Sequence, residues 1–346
     1  MGLFDFLFGR SKVEQNDQAG ASMPATGAAI DWRSSPAHLN LLCHFLPPKA
    51  RVKDLRQPWA DALGEAPAVA IDRFVALGLL KPWSVETTLD RAKNVAQIKG
   101  MLKDRGLPVF GAKAALIARL VAADGPGVGA AVDGLGGYEC TPAGEQIAQQ
   151  RAAALAAQKD EAIRKSLAQI RAKRYAEAFE VARAFKAEAP PDRHAGLGAE
   201  FMLTDKDPVG SMIAFAAGRP KIFGSLPEAT WEAVRIAAAM SRLWGGGLRP
   251  WMAEGVDSVG RFDLRVAYQL LVVSDADRRS RAMLSRLPHP RATVMCTRSD
   301  SCAACRALAG RVLPLEKIPE LPNPGCENAT EGCRCHLRPV LDFGSA

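Results

Sequence analysis

Residues 94–123 read NVAQIKGMLKDRGLPVFGAKAALIARLVAA, and this stretch decides how the rest of the chain is read. Val95, Ile98 and Leu102 recur at i, i+3 and i+7, so they share one face of a helix. Gly106 predicts the end of that helix, because glycine takes the left-handed backbone at no steric cost. Pro108 keeps Leu107 out of the α region, which makes Leu107-Pro108-Val109 an extended connector. Gly111 restarts the chain, and Leu116, Leu120 and Val121 form the apolar stripe of a second helix. The two stripes predict a small helix–loop–helix unit, with Leu107 and Val109 closing the gap between them.

Charge gathers on the same stretch. The whole chain of 346 residues carries +8. Residues 91–124 hold seven basic side chains against Asp104 and Asp124, a local +5. Lys99, Lys103, Lys113 and Arg119 fall on the polar edge of the predicted unit. The second helix begins just after Gly111, where free N–H groups and the helix dipole favour an anion. Lys113 in that first turn opposes the dipole and makes sense beside a phosphate. A basic edge of this kind fits a polyanionic partner, and it equally fits a solvated helix surface.

Gly106-Leu107-Pro108, Gly111, Lys113, Leu116, Arg119 and Leu120 follow the pattern GLPxxGxKxxLxxRL, so residues 92–124 resemble the SAP motif. The resemblance implies phosphate-led binding of double-stranded DNA, with little base reading and steep salt dependence. It carries Gly111, Lys113 and Arg119 over as DNA-contacting or loop-shaping residues, with Lys99 and Lys103 as further DNA-binding candidates on the basic edge. Some members of that family bind RNA or proteins instead.

Working outward, the expected fold is mainly α and multidomain. Residues 1–30 read as a flexible tail, being polar and aperiodic after an apolar tip. Residues 31–150 read as a small α-rich domain of short helices parted by prolines. The strings ALGLL (76–80) and YECTPAG (138–144) resemble the recognition-helix end and wing of winged-helix domains. That resemblance implies that the SAP-like segment is inserted within the wing. GPGVGAAVDGLGG (125–137) predicts a glycine-rich loop, and Thr141-Pro142 predicts a helix start. Residues 151–290 predict a helical domain, beginning with a hairpin that turns near Ala172–Arg174.

Residues 291–346 form a cysteine-rich module. Six of the eight cysteines lie between Cys296 and Cys335; Cys43 and Cys140 stand apart as small apolar residues. A Cys302-x2-Cys305 knuckle brings two thiolates to one tetrahedral ion, and a second pair from a distant loop completes four ligands. The expected ligands are Cys302, Cys305, Cys326 and one of Cys333 or Cys335, with Cys296 and His336 in reserve. Structural Zn²⁺ is the expected ion, and disulfides or free thiols are the alternatives. DSCAACRALAGRV (300–312) and GCRCHLRP (332–339) resemble the C-terminal module of phage Mu-type head morphogenesis (minor capsid) proteins. Cys302, Cys305, Leu308, Gly310, Cys333, Arg334 and Cys335 carry the match; the usual His before CRC is missing, and an insertion brings in Cys326.

No Walker loop, GxGxxG, HExxH or GxSxG occurs, so no catalytic residue is expected. The leading expectation is a cytoplasmic DNA-binding accessory protein with a structural zinc module. It has no membrane span, and protein partners would meet the helical middle. The alternatives are a phage or prophage head morphogenesis or assembly protein and a nuclease built on a treble-clef-like zinc module. The nuclease would need His336 at a scissile phosphate.

Overall fold

The computed structural model describes residues 31–46, 55, 57–191, 207–296, 301–328 and 331–340. The expected tail, 1–30, lies outside them. Helix α1 (Pro36–His44) starts at Ser35, whose hydroxyl caps the His38 N–H, with Pro36 in the first turn. Helices α2 (Gln57–Leu63) and α3 (Pro67–Ala76) follow. They close around Trp32, Leu41, Leu42, Phe45, Ile71 and Phe74, all buried. His38 joins Ser35 to Glu65, at 2.8 and 2.7 Å, and Arg73 clamps the same carboxylate at 2.7 and 2.8 Å. The Arg73 guanidinium is the main reason the Glu65 carboxyl is held below the usual range.

Strand β1 (Leu80–Pro82) pairs antiparallel with β2 (Tyr138–Cys140), Leu80 opposite Cys140. Three helices lie in the chain between those strands: α4 (Val85–Ala92), α5 (Val95–Lys103) and α6 (Lys113–Ala131). They bury their own core of Leu89, Ile98, Leu102, Leu116, Leu120 and Val128. The expected glycine-rich loop at 125–137 is corrected here, because residues 125–131 are helical. Asp124 breaks the helix at φ −155°, ψ 61° and then caps a new turn, accepting the Gly127 N–H at 3.0 Å. Pro126 suits that first turn, and Val128 and Val132 bury one face of it. By length and composition α6 is the one helix among the described residues apolar enough to cross a membrane, but Asp124 divides it.

Helix α7 (Pro142–Arg171) runs unbroken through the expected boundary at 150/151. Thr141 caps it, with Pro142 in its first turn. After a turn with Lys173 at φ 60°, α8 (Tyr175–Glu188) folds back along α7. The buried Asn40 of α1 ties this hairpin down, donating to Glu188 O at 2.8 Å and accepting from Arg151 at 2.9 Å. Helices α9 (Pro208–Ala217) and α10 (Glu228–Trp244) pack on the far end of the hairpin through Ile170, Tyr175, Met212 and Met240.

A short hairpin, β3 (Ser258–Val259) and β4 (Phe262–Asp263), leads into α11 (Leu264–Leu284). The chain then forms a three-stranded antiparallel sheet in the order β6-β5-β7. Its strands are β5 (Arg291–Cys296), β6 (Val312–Pro314) and β7 (Cys335–Val340), and α12 (Ala303–Arg306) lies between β5 and β6. The expected boundary at 290/291 does not separate two cores. Val234, Val266, Leu270, Val294, Cys305 and Cys333 belong to one apolar cluster. The Pro-rich segment is too poor in large apolar side chains to close a core alone, so it borrows the face of α11.

Asp275 of α11 is 4% exposed and meets three guanidiniums. Arg242 of α10 donates at 2.8 Å, Arg279 lies at 3.1 Å, and Arg278 completes the set. Asp275→Ala strands Arg242, itself largely buried, and should cost about 3–5 kcal/mol. Urea unfolding should show a lower midpoint with an unchanged slope.

Candidate functional site

Two places gather chemistry, the basic helical unit at α4–α6 and the thiol cluster at the sheet. In the first, Asn94 and Gln97 form a reciprocal capping box, each bond 2.9 Å, which fixes the start of α5. Ile98 and Leu102 face inward and are fully buried. Lys99 and Lys103 sit one position further round, four residues apart, on the same side of α5. Lys99 is half-buried and Lys103 exposed, and among the described residues neither makes a hydrogen bond or ion pair.

The other candidates are engaged. Lys113 reaches Asp90 of α4, 3.2 Å from its carboxylate, and also donates to the Asp90 carbonyl. Arg119 donates to Pro108 O at 2.6 Å and Phe110 O at 3.1 Å, and its guanidinium stacks 5.1 Å over the Phe110 ring. Arg119 therefore shapes the loop, and Lys113 ties α6 to α4. Gly111 takes φ 116°, a backbone other residues avoid, and α6 then starts at Ala112 with no side-chain cap. Phe110, at 72% exposure, projects from the loop just before that start. Arg105 holds Asp124 at 2.8–2.9 Å, and this contact with the Gly127 N–H keeps the Asp124 carboxyl below its usual range. Sequence alone offered no signal for Asp90, which lies 23 residues from Lys113.

The second place collects all six C-terminal cysteines. Cys302 caps α12 and Cys305 sits one turn on, so the knuckle is built by a helix start. Cys326 comes from a turn closed by its own N–H to Asn323 O at 2.9 Å. Cys296 and Cys335 face each other across β5 and β7 in register, their sulfurs 3.0 Å apart. Cys305 and Cys333 lie 3.9 Å apart. Gly332 turns the chain into this cluster at φ 70°; a Cβ there would meet Val266 of α11 at 3.0 Å. His336 occupies the exposed side of β7, opposite Cys335, so this reserve ligand faces away.

The sulfurs form two triads that could hold a metal ion, Cys302-Cys305-Cys326 and Cys305-Cys333-Cys335, each within 4.8 Å. Both Cys333 and Cys335 are thus in the cluster, and the expected choice of one of them becomes a pair. Thiols so close cannot all ionise in water's absence. Hydrogen bonds from Cys305, Cys326 and Cys335 pull the Cys333 thiol far below its ordinary value. Donation to these neighbours and burial push Cys305 far up. Cys326 accepts from Cys305 but is raised to about 12 by Cys333 and burial. Burial would raise Cys302, but the Cys305 and Glu327 N–H groups hold it below the usual thiol value. A divalent cation relieves this crowding by replacing protons, and an all-thiolate tetrahedral set suits Zn²⁺.

Outside the cluster, burial raises the Cys43 thiol and lifts Cys140 to about 11, so both stay protonated at neutral pH. In the zinc-loaded protein, chelation at pH 7.5 should make the C-terminal thiols reactive to Ellman's reagent while Cys43 and Cys140 stay slow. It should also lower the melting temperature. A thiol titration before and after chelation checks both sets. No family model, no curated protein and no solved structure matches this chain.

Proposed function

We propose that the protein binds double-stranded DNA through the helix–loop–helix of α5 and α6, in the manner of a SAP motif. A metal-stabilised cysteine module anchors the remainder of the fold. One observation carries the reading: half-buried Lys99 and exposed Lys103 share one side of α5 with no partner among the described residues, in a unit whose second helix begins uncapped. Free N–H groups and unpaired ammonium groups suit phosphate oxygens. Lys113 and Arg119 act in this reading as builders of the loop, with Phe110 at its tip against a sugar or base edge. Insertion of the unit between β1 and β2 fits a winged-helix-like support, which would carry it as an enlarged wing. With few phosphate contacts the unit binds duplexes weakly and without strong sequence preference. The cysteine-rich sheet, whose sequence resembles head morphogenesis proteins, supports a second reading as an assembly protein.

Lys99→Glu with Lys103→Glu should weaken duplex binding at least about tenfold at low salt and flatten the salt slope by about two. Fluorescence anisotropy on an unlabelled-competitor series measures both. Lys113→Ala should chiefly lower stability, because it breaks the tie to Asp90. Duplex affinity unchanged in the double variant rejects DNA binding through this surface, and loss of co-purification with particle proteins would count against the assembly reading.

A further inference from the structure

The cysteine cluster holds more sulfur than one ion uses. One tetrahedral ion takes four thiolates, and six lie together here. Choosing Cys302, Cys305, Cys326 and Cys333 would leave Cys335, 4% exposed, and Cys296 at 3.0 Å from it with no ligand role. Their contacts follow a definite pattern. Cys305 belongs to both sulfur triads, with Cys302 and Cys326 in one and with Cys333 and Cys335 in the other. Cys333 lies 3.9 Å from Cys305 and in the triad with Cys335. Cys302 and Cys326 lie on one side of Cys305, while Cys296 meets the Cys335 sulfur at 3.0 Å and donates to the Cys305 carbonyl at 3.3 Å. Cys305, with Cys333 beside it, therefore stands between two outer pairs, Cys302–Cys326 and Cys296–Cys335.

We infer that these six cysteines bind two divalent metal ions in one thiolate-bridged cluster, with Cys305 and Cys333 shared between the ions. This rests on the metal-binding reading of the module and goes beyond its single structural ion. Cys302 and Cys326 complete one tetrahedron, and Cys296 and Cys335 complete the other. Six sulfurs with two shared supply eight ligand positions, four for each ion. A Zn–S bond of about 2.3 Å gives a tetrahedral S···S edge of about 3.8 Å. The Cys305–Cys333 separation of 3.9 Å matches such an edge. The Cys296–Cys335 pair has to open from 3.0 Å to the same edge.

Charge agrees with two ions. Six thiolates around one dication leave an excess of −4, and around two an excess of −2. The remaining negative charge meets donors already aimed at sulfur: the N–H groups of Cys305 and Glu327 on Cys302, Asn328 on Cys326, and Cys335 on Cys333. Arg261 lies close by, donating to the Cys326 carbonyl at 2.6 Å. Each cysteine binds as a thiolate, whatever protons the thiols still carry leave to solvent, and two metal ions enter with no change of oxidation state.

The test uses the full chain, purified under reductant and loaded with zinc, then with ¹¹³Cd. Native against denaturing mass spectrometry counts ions, and ¹¹³Cd NMR reads their surroundings. Two ions per chain and two mutually coupled cadmium resonances in the thiolate range are expected. Cys296→Ala should hold one ion tightly and release the second at least tenfold more readily. One ion in the wild-type chain overturns the shared cluster while leaving metal binding intact. None overturns both, and two uncoupled resonances overturn the bridging.

Discussion

Packing Cys305, Cys326, Cys333 and Cys335 into one core forces a choice on that core. The thiols sit too close for more than one to ionise freely, and too deep for water to screen them. The cluster could hold a cation, and the surrounding elements deliver its sulfurs. The knuckle on α12, the turn at Cys326 and the return at Gly332 each deliver sulfur from a different part of the chain. The face of α11 presses them together. The three-stranded sheet and the helices behind it share a single apolar interior, so a change at the sulfurs reaches α11 as well as the loops.

A different compromise governs the basic unit. Its net positive charge is only partly available to a partner. Arg105 and Lys113 are spent on Asp124 and Asp90, and Arg119 on two carbonyls. These bonds set the angle between α5 and α6 and give the loop its shape. What is left for an anion is a smaller set of groups, Lys99, Lys103 and the open start of α6.

Local patterns in the sequence made the two helices of this unit legible, since Gly106 and Gly111 act through neighbours a few residues away; the Asn94 cap was not read. The hairpin of α7 and α8 was legible for the same reason. The helical turn after Asp124 was not, because three glycines outweighed a cap and a proline that signal a helix start. The pairing of Lys113 with Asp90 and of Cys296 with Cys335 depends on chain segments far apart in sequence, and no spacing rule reaches them. The cysteine spacing announced a metal site, yet not its extent: Cys333 and Cys335 sit together, and His336 points outward, only because strand β7 alternates its faces. Domain edges were drawn at 150 and 290, whereas α7 runs through the first and one apolar cluster holds residues from both sides of the second.

The 30 residues of α7 span about 45 Å at 1.5 Å per residue. Between Ala148 and Ala162 the helix contributes no fully buried side chain, and alanines rather than packing sustain it there. With the Asn40 latch holding α8 against its side, the pair forms one long two-helix arm. Shortening α7 by whole turns would therefore draw its two ends together by about 5.4 Å per turn without rebuilding the packing at either.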